Sequence, residues 1–411
     1  MKTEQLILSI GTILLAARVF GWAFQRIGQP RVVGEMTAGI VLGPSLFGRF
    51  LPGAFAFVFP PSSMPAITVL SQLGLLLFMF VIGLEVDLKR ILKQRSAVIL
   101  ISNVSILLPL ALGIGLAKGL YPQFAGEQVA FFPFALFMGT AMSITAFPVL
   151  ARILKERNLL GTGLGSMAIS CAAIDDISAW LLLAVLTAMV HSAQSWHHFA
   201  VTLFLLVTFV AIMLVPIRRV ASFLESRYQR NGVGTELVSS LVLFMLAASW
   251  TTERLGVHAL FGAFMAGLVM PRNERMIADV VERIESLSLA LLLPLFFALT
   301  GLRTRIDLLT DKSIWGYAVA IIATAVVGKL AGAAFTARAT GMNWRDSLGL
   351  GVMMNTRGLV ELVILNAGLD LGILSPALFT MMVLMALTTT LMTSPLLSVI
   401  KISVMKIHRD A

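Results

Sequence analysis

Asp175 and Asp176 stand next to each other inside a long apolar run, Ala173-Ile174-Asp175-Asp176-Ile177-Ser178. Adjacent residues on a helix point about 100° apart, so the two carboxylates can serve different partners. Two like charges this close cannot both be ionised in a low dielectric without compensation. Either one is protonated or a cation stands beside them. Lys329 is the one lysine within an apolar stretch, and an ion pair with it would compensate one carboxylate. The other is left to bind a proton or a small cation. A carrier that reorients only when that carboxylate is occupied exchanges one for the other.

Further ionisable groups lie in or beside apolar stretches. Arg357 and Glu361 are four apart, the spacing of a pair on one helix face, and read as a structural pair. Glu35 and Glu85 read as rim positions, and Arg18 as a side chain reaching the membrane surface or a neighbour. Cys171, one turn before Asp175, reads as a packing residue; alone, it forms no internal disulfide. His191, His197 and His198 read as a solvated loop, and His258 as a packed histidine. No catalytic residue, cofactor or metal is expected beyond a transported monovalent cation. Intramembrane aspartyl proteases need their two aspartates on different helices, and His-Glu-x-x-His is absent, so an enzyme is not expected. A transport-dead sensor is disfavoured by the intact aspartate pair.

These residues need elements that hold them in lipid. The chain has 411 residues, 58% hydrophobic and only 13% charged, with mean hydropathy +0.92. Too few charges are present to coat a water-soluble fold, so an all-α polytopic membrane protein is predicted. The net charge of +10 reads as basic loops on one membrane face, and nucleic acid is not an expected partner. Thirteen spans are predicted: 4–24, 32–48, 65–85, 96–118, 130–152, 162–190, 198–219, 235–252, 256–270, 286–302, 314–338, 346–368 and 376–402. The first is too long for a cleaved leader and contains Arg18. No soluble domain is expected after the last. Alternating the loops divides the 31 Lys and Arg into 21 on one side and seven on the other. The remaining three, Arg18, Lys329 and Arg357, fall within spans. The richer side is then cytoplasmic, with the N-terminus out and the C-terminus in.

Thirteen divides into six, a linker (198–219) and six, which predicts two inverted six-helix repeats. Breaks should fall at equivalent places. The fifth span carries Thr140-Ala141-Met142-Ser143-Ile144-Thr145-Ala146-Phe147-Pro148, and the twelfth carries Met354-Asn355-Thr356-Arg357-Gly358. Each is fifth in its half, and each combines small polar residues with a helix breaker. Unwound backbone at membrane depth is tolerated only where it lines a cavity or is buried in protein.

Four stretches resemble the monovalent cation:proton antiporter-2 family: Gly28-Gln29-Pro30-Arg31-Val32-Val33-Gly34-Glu35 with Leu42-Gly43-Pro44-Ser45, then Ser143 to Leu150, Ile174 to Trp180, and Met354 to Leu362. Pro294 to Ala298, with Gly301-Leu302, supports them. The resemblance covers about residues 5–400. It implies a homodimer and an elevator motion, with a dimerisation part (1–95 and 235–302) and an ion-translocating core (96–190 and 314–402). It implies crossed, discontinuous helices 5 and 12. It makes Asp176 the shared cation and proton carrier and gives Asp175 to Lys329, with Arg303 as the alternative partner. Thr140, Ser143 and Thr145 would line the site from one crossing helix, and Asn355 and Thr356 from the other. Many eukaryotic relatives have Asn-Asp where this chain has Asp175-Asp176, and two acids suggest electrogenic exchange. The nucleotide-binding domain of the glutathione-gated potassium efflux relatives is not expected here.

The expected function is exchange of Na⁺, in preference to K⁺, for protons, with a role in pH homeostasis, in a bacterial inner membrane. The alternative is a sodium-coupled symporter of an organic anion on a related crossed-helix fold. That alternative needs a second, larger substrate pocket, and the aspartate pair with one lysine suits proton exchange better.

Overall fold

In hydrocarbon every backbone N–H and C=O must find a partner within the protein, and a helix supplies those partners locally. The computed structural model describes residues 3–86, 96–126, 129–157, 159, 162–191, 196–221, 234–271, 273–309 and 312–400. It is all-helical in architecture, and an isolated antiparallel bridge joins Ala125 to Leu374. Eight of the described helices are long and apolar enough to cross a membrane: Thr3–Arg26, Met64–Glu85, Ser96–Phe124, Gly163–Met189, Ala200–Ala221, Thr235–Arg254, Lys312–Ala339 and Pro376–Ile400. The chain is a multi-pass integral membrane protein.

The remaining apolar intervals hold shorter helices, and three differ from expectation. The interval 32–48 is helical over Arg31–Leu42 only; Gly43 and Pro44 stop it before a short helix, Phe47–Phe50. The interval 256–270 is helical over Ala259–Leu268, and His258 is its N-cap, its ring accepting from the Leu260 amide. His258 is therefore a helix cap and not a side chain packed inside the helix. The interval 286–302 starts earlier, because the helix Glu274–Leu287 runs on through a π-helical stretch, Ser288–Leu292, into Leu293–Arg303. Its first part is charged on one face and buries Met276, Val280 and Ile284 on the other, so a scan for uniform hydropathy passes over it.

The chain forms two compact units. The first comprises residues 1–14, 58–90 and 183–299, and the second 15–57, 91–182 and 300–411. In the first, helices Met64–Glu85 and Ala259–Leu268 meet backbone to backbone at Gly83 and Gly267, where a Cβ on Gly267 would collide with the Phe80 carbonyl. Small residues are what let membrane helices approach so closely. In the second, a Cβ on Gly139 would stand 2.7 Å from the Leu110 carbonyl. Glycine there lets helix Phe131–Ser143 lie against Ser96–Phe124, which carries Ser102.

Of the basic residues behind the predicted orientation, Lys2, Lys89, Arg90, Lys93, Arg95, Arg227, Arg230, Arg272, Lys401, Lys406 and Arg409 lie outside the described residues. So do parts of the segments 1–95 and 314–402 and of the last predicted span.

Candidate ion-binding site

The second unit contains two interrupted helices. Phe131–Ser143 stops, Ile144 to Ala146 run extended or irregular, and Phe147–Glu156 resumes. Pro148 sits in the first turn of the second piece, where its missing N–H is no loss. Likewise Trp344–Met354 stops, Asn355 to Gly358 are non-helical, and Leu359–Asp370 resumes. Each stop leaves backbone groups without helical partners.

Each break supplies partners for the other. The guanidinium of Arg357 donates from Nη1 to the Ala141 carbonyl at 2.7 Å and from Nη2 to the Met142 carbonyl at 2.6 Å. These carbonyls close the first half-helix, and a cation there also complements its dipole. In return, the Thr145 hydroxyl lies 2.7 Å from the Met354 carbonyl, which ends the other half-helix. The Ala146 amide donates to the Thr356 carbonyl at 2.9 Å. Helix Pro376–Ile400 braces the second break, with the Thr390 hydroxyl 2.7 Å from the Arg357 carbonyl and Thr393 beside Thr356. Arg357 also pairs with Glu361 at 3.0 Å, both fully buried.

The aspartate pair sits on the continuous helix Gly163–His191. Asp175 is fully engaged. Its Oδ2 receives Lys329 Nζ at 2.6 Å and stands 2.9 Å from the Thr145 hydroxyl, while Oδ1 receives the Ser102 hydroxyl at 2.8 Å. Thr145 therefore touches both the ion pair and the opposite break. Asp176 is its opposite: wholly buried, with neither oxygen in a hydrogen bond of good geometry. The amide of Phe147, which opens the second half-helix, faces it. The Thr140 hydroxyl and the Asn355 side-chain oxygen are likewise buried without a hydrogen-bond partner.

Other candidates go elsewhere. The Ser143 hydroxyl turns back to the Thr140 carbonyl of its own helix at 2.8 Å; as the last residue of that half-helix, it satisfies a local acceptor. Thr356 Oγ1 lies 3.2 Å from Thr393 Oγ1. Arg303 binds Asn366 and Asp370, each at 3.0 Å, and not Asp175. Glu35 is buried and pairs with Arg31 at 2.9 Å. Cys171 is packed in an apolar cluster, its thiol 3.7 Å from the Val98 carbonyl. His197 is exposed. Ser102, Thr390 and Thr393 were not singled out from the sequence. A lone serine carries no signal, whereas the run Thr388-Thr389-Thr390 with Thr393 in an apolar span is one that could have been followed.

Two predictions arise here. Lys329→Ala breaks a fully buried pair, which typically costs about 3–5 kcal/mol. Ser102 and Thr145 still serve Asp175, which favours the lower end. The thermal unfolding midpoint in detergent should fall clearly, and adding Asp175→Asn should recover part of the loss. An unchanged midpoint would show that the pair does not hold the fold. The second concerns the loop after Leu293–Arg303. Asp307, held by Arg305 and the Ser45 hydroxyl, has its carboxyl pulled down to about 2. A depressed carboxyl contributes stability above its unfolded value of about 4 and loses it as pH falls through the folded value. Asp307→Asn should therefore flatten the stability profile only between about pH 4 and 2. Because the pair is partly exposed, the effect should be small and weakened by salt. A variant profile as steep as that of wild type between about pH 4 and 2 would contradict this.

Of the two buried carboxylates, one is paired with lysine and the other has no hydrogen bond of good geometry. The chain belongs to the family described as sodium/hydrogen exchanger, transmembrane, whose model matches residues 13–399. It is 40% identical over 401 residues to the Na(+)/H(+) antiporter NhaS4 of Synechocystis sp., covering 96% of this chain and 98% of that protein. It is 35% identical over 394 residues to K(+)/H(+) antiporter 1 of Saccharomyces cerevisiae, covering 93% of this chain but 45% of that longer protein. Its fold matches the sodium proton antiporter MjNhaP1 of Methanocaldococcus jannaschii with a TM-score of 0.71 at 13% identity, over 97% of this chain and 99% of that one. The family and these relatives are antiporters, not enzymes, and they do not favour the organic-anion symporter.

Proposed function

We propose that the protein exchanges Na⁺ for protons, with Asp176 as the group both ions share. The observation that carries this reading is the contrast within the aspartate pair: Asp175 holds three side-chain partners, and the fully buried Asp176 holds no side-chain hydrogen bond and faces only the Phe147 amide. The Lys329–Asp175 pair is internally compensated, so occupancy of Asp176 decides the net charge of the site. With Asp176 ionised, Na⁺ binds its carboxylate, and Thr140 and Asn355 offer neutral oxygens to complete the shell. Protonation of Asp176 removes the charge that holds Na⁺ and releases it. Movement of the occupied core to the other membrane face then completes exchange in either direction. Na⁺ is preferred to K⁺ because the relative matched at 40% identity over nearly its whole length is described as a Na(+)/H(+) antiporter.

The wider reading has thirteen spans in two inverted repeats, N-terminus out and C-terminus in, in a bacterial inner membrane. It has a homodimer moving as an elevator, with 1–95 and 235–302 for dimerisation and 96–190 and 314–402 for translocation, and serves pH homeostasis. Helix Arg31–Leu42, assigned to dimerisation in that division, falls within the second compact unit. The testing experiment uses purified protein in liposomes with a trapped pH dye and an imposed proton gradient, to which Na⁺, K⁺ or Li⁺ is added in turn. A Na⁺-dependent pH change that is absent with Asp176→Asn is the expected result. A response to K⁺ alone would reassign the ion, and no response to any of the three would overturn the reading.

A further inference from the structure

Trp180 is among the largest fully buried side chains of the protein, and its indole N–H has no hydrogen-bond partner. A buried donor left unpaired is disfavoured, and such a group in a native fold calls for an explanation. Its position supplies one. Trp180 lies four residues after Asp176 on the same continuous helix, Gly163–His191, so the two share a face. Long side chains on a helix lean back towards its N-terminus, over the residues three and four positions earlier. For Trp180 the preceding turn is the one that carries Asp176. One face thus holds an unpaired donor and, one turn before it, a carboxylate that accepts no side-chain hydrogen bond and faces only the Phe147 amide. Asp175 and its hydrogen-bonding partners, Ser102, Thr145 and Lys329, are taken up with one another. None of them needs the indole.

We propose that Trp180 is a positioning residue of the exchange site: its indole N–H holds a single water between itself and Asp176, and that water joins the Thr140 and Asn355 oxygens in the shell of the bound cation. This deepens the reading of Asp176 as carrier and rests on it. A small cation moved from water into a buried site must keep or replace its hydration oxygens. A water fixed by one donor and one carboxylate is nearly as good a partner as a direct hydrogen bond. The donor acts in the cation-bound state, so its loss should weaken cation binding more than the rate of the loaded carrier.

The test replaces the donor and keeps the shape. 3-Benzothienylalanine at position 180 exchanges the ring N–H for sulfur, and Trp180→Phe is a cruder version. Each is reconstituted in liposomes and assayed with NaCl, and separately with KCl, beside wild type and Asp176→Asn. Loss of the donor should raise the apparent KM for the transported cation about tenfold, with the maximal rate changed less than about twofold. 7-Azatryptophan, which retains the pyrrole N–H, should restore the wild-type KM. An unchanged KM in the benzothienyl variant overturns the proposal even where Trp180→Phe is misfolded. A thermal midpoint that falls while KM holds assigns Trp180 to packing alone and also overturns it. Normal exchange in Asp176→Asn would instead remove the carrier reading beneath it, which keeps the two failures distinct.

Discussion

Asp176→Asn leaves the protein folded and stops exchange. The amide has nearly the shape of the carboxylate, and Asp176 makes no hydrogen bond of good geometry that the change would break. Burying a neutral amide costs less than burying an uncompensated anion, so the thermal midpoint should hold or rise. The amide can neither take up a proton nor supply the negative charge that holds a cation. Loss of a group that transfers the proton costs at least about 100-fold in rate, so pH-dye signals should fall to the level of empty liposomes. Asp175→Asn should behave differently. It leaves Lys329 buried beside a neutral partner, and its first effect should be on stability. A wild-type rate in Asp176→Asn would remove that carboxylate from the cycle.

Arg357→Ala should be the most destabilising single substitution in the crossing. One guanidinium serves two terminal carbonyls on one helix and a carboxylate on another, all inside the protein. Its removal leaves Glu361 without its counter-ion, which for a buried pair costs about 3–5 kcal/mol. It also orphans the Ala141 and Met142 carbonyls, each a buried acceptor whose loss of partner costs about 1–3 kcal/mol. These contributions overlap and do not simply add. The measurable expectation is a midpoint lower than that of Lys329→Ala, with reduced yield of folded protein. Arg357→Lys should rescue little, since a single ammonium cannot reproduce the forked geometry. Glu361→Gln should cost less than Arg357→Ala, because it leaves both carbonyl bonds in place. A midpoint for Arg357→Ala equal to that of wild type would mean that the first half-helix ends without needing this cap.

Local features of the site were readable in the sequence because their physics is local. The breaks at 144–146 and 355–358 fall among the small polar and breaker residues that mark them. Of the thirteen apolar intervals, eight hold described helices long enough to cross a membrane and the others hold shorter ones, because about twenty apolar residues in lipid have few alternatives to helix. The helix Glu274–Leu287 was hidden because its charged face dilutes its apolar one. The role of Arg357 was only half visible. Its pairing with Glu361 follows from spacing, whereas its bonds to Ala141 and Met142 join residues 216 and 215 positions apart. No periodicity reports such a distance. The same holds for Ser102 on Asp175 and for the brace from Thr390 and Thr393. Ser143 is assigned to the site by the family resemblance; in the fold, an acceptor in its own helix takes its hydroxyl.

The exchange of caps between the two breaks also has a consequence for how the protein is made. The cap on the Ala141 carbonyl comes from a residue 216 positions further along. At ordinary translation speeds of about 5–20 residues per second, that residue emerges about 10–40 s later. During that interval the nascent first half has an interrupted helix whose last carbonyls lack their final partner, in surroundings where an unbonded carbonyl is strongly disfavoured. The early segment therefore has to wait at the insertion machinery or in a hydrated pocket until the later one arrives. A ribosome stalled between the two breaks should leave a first half that inserts but stays open to protease and to water-soluble labels, whereas release past Arg357 should close it in a single step.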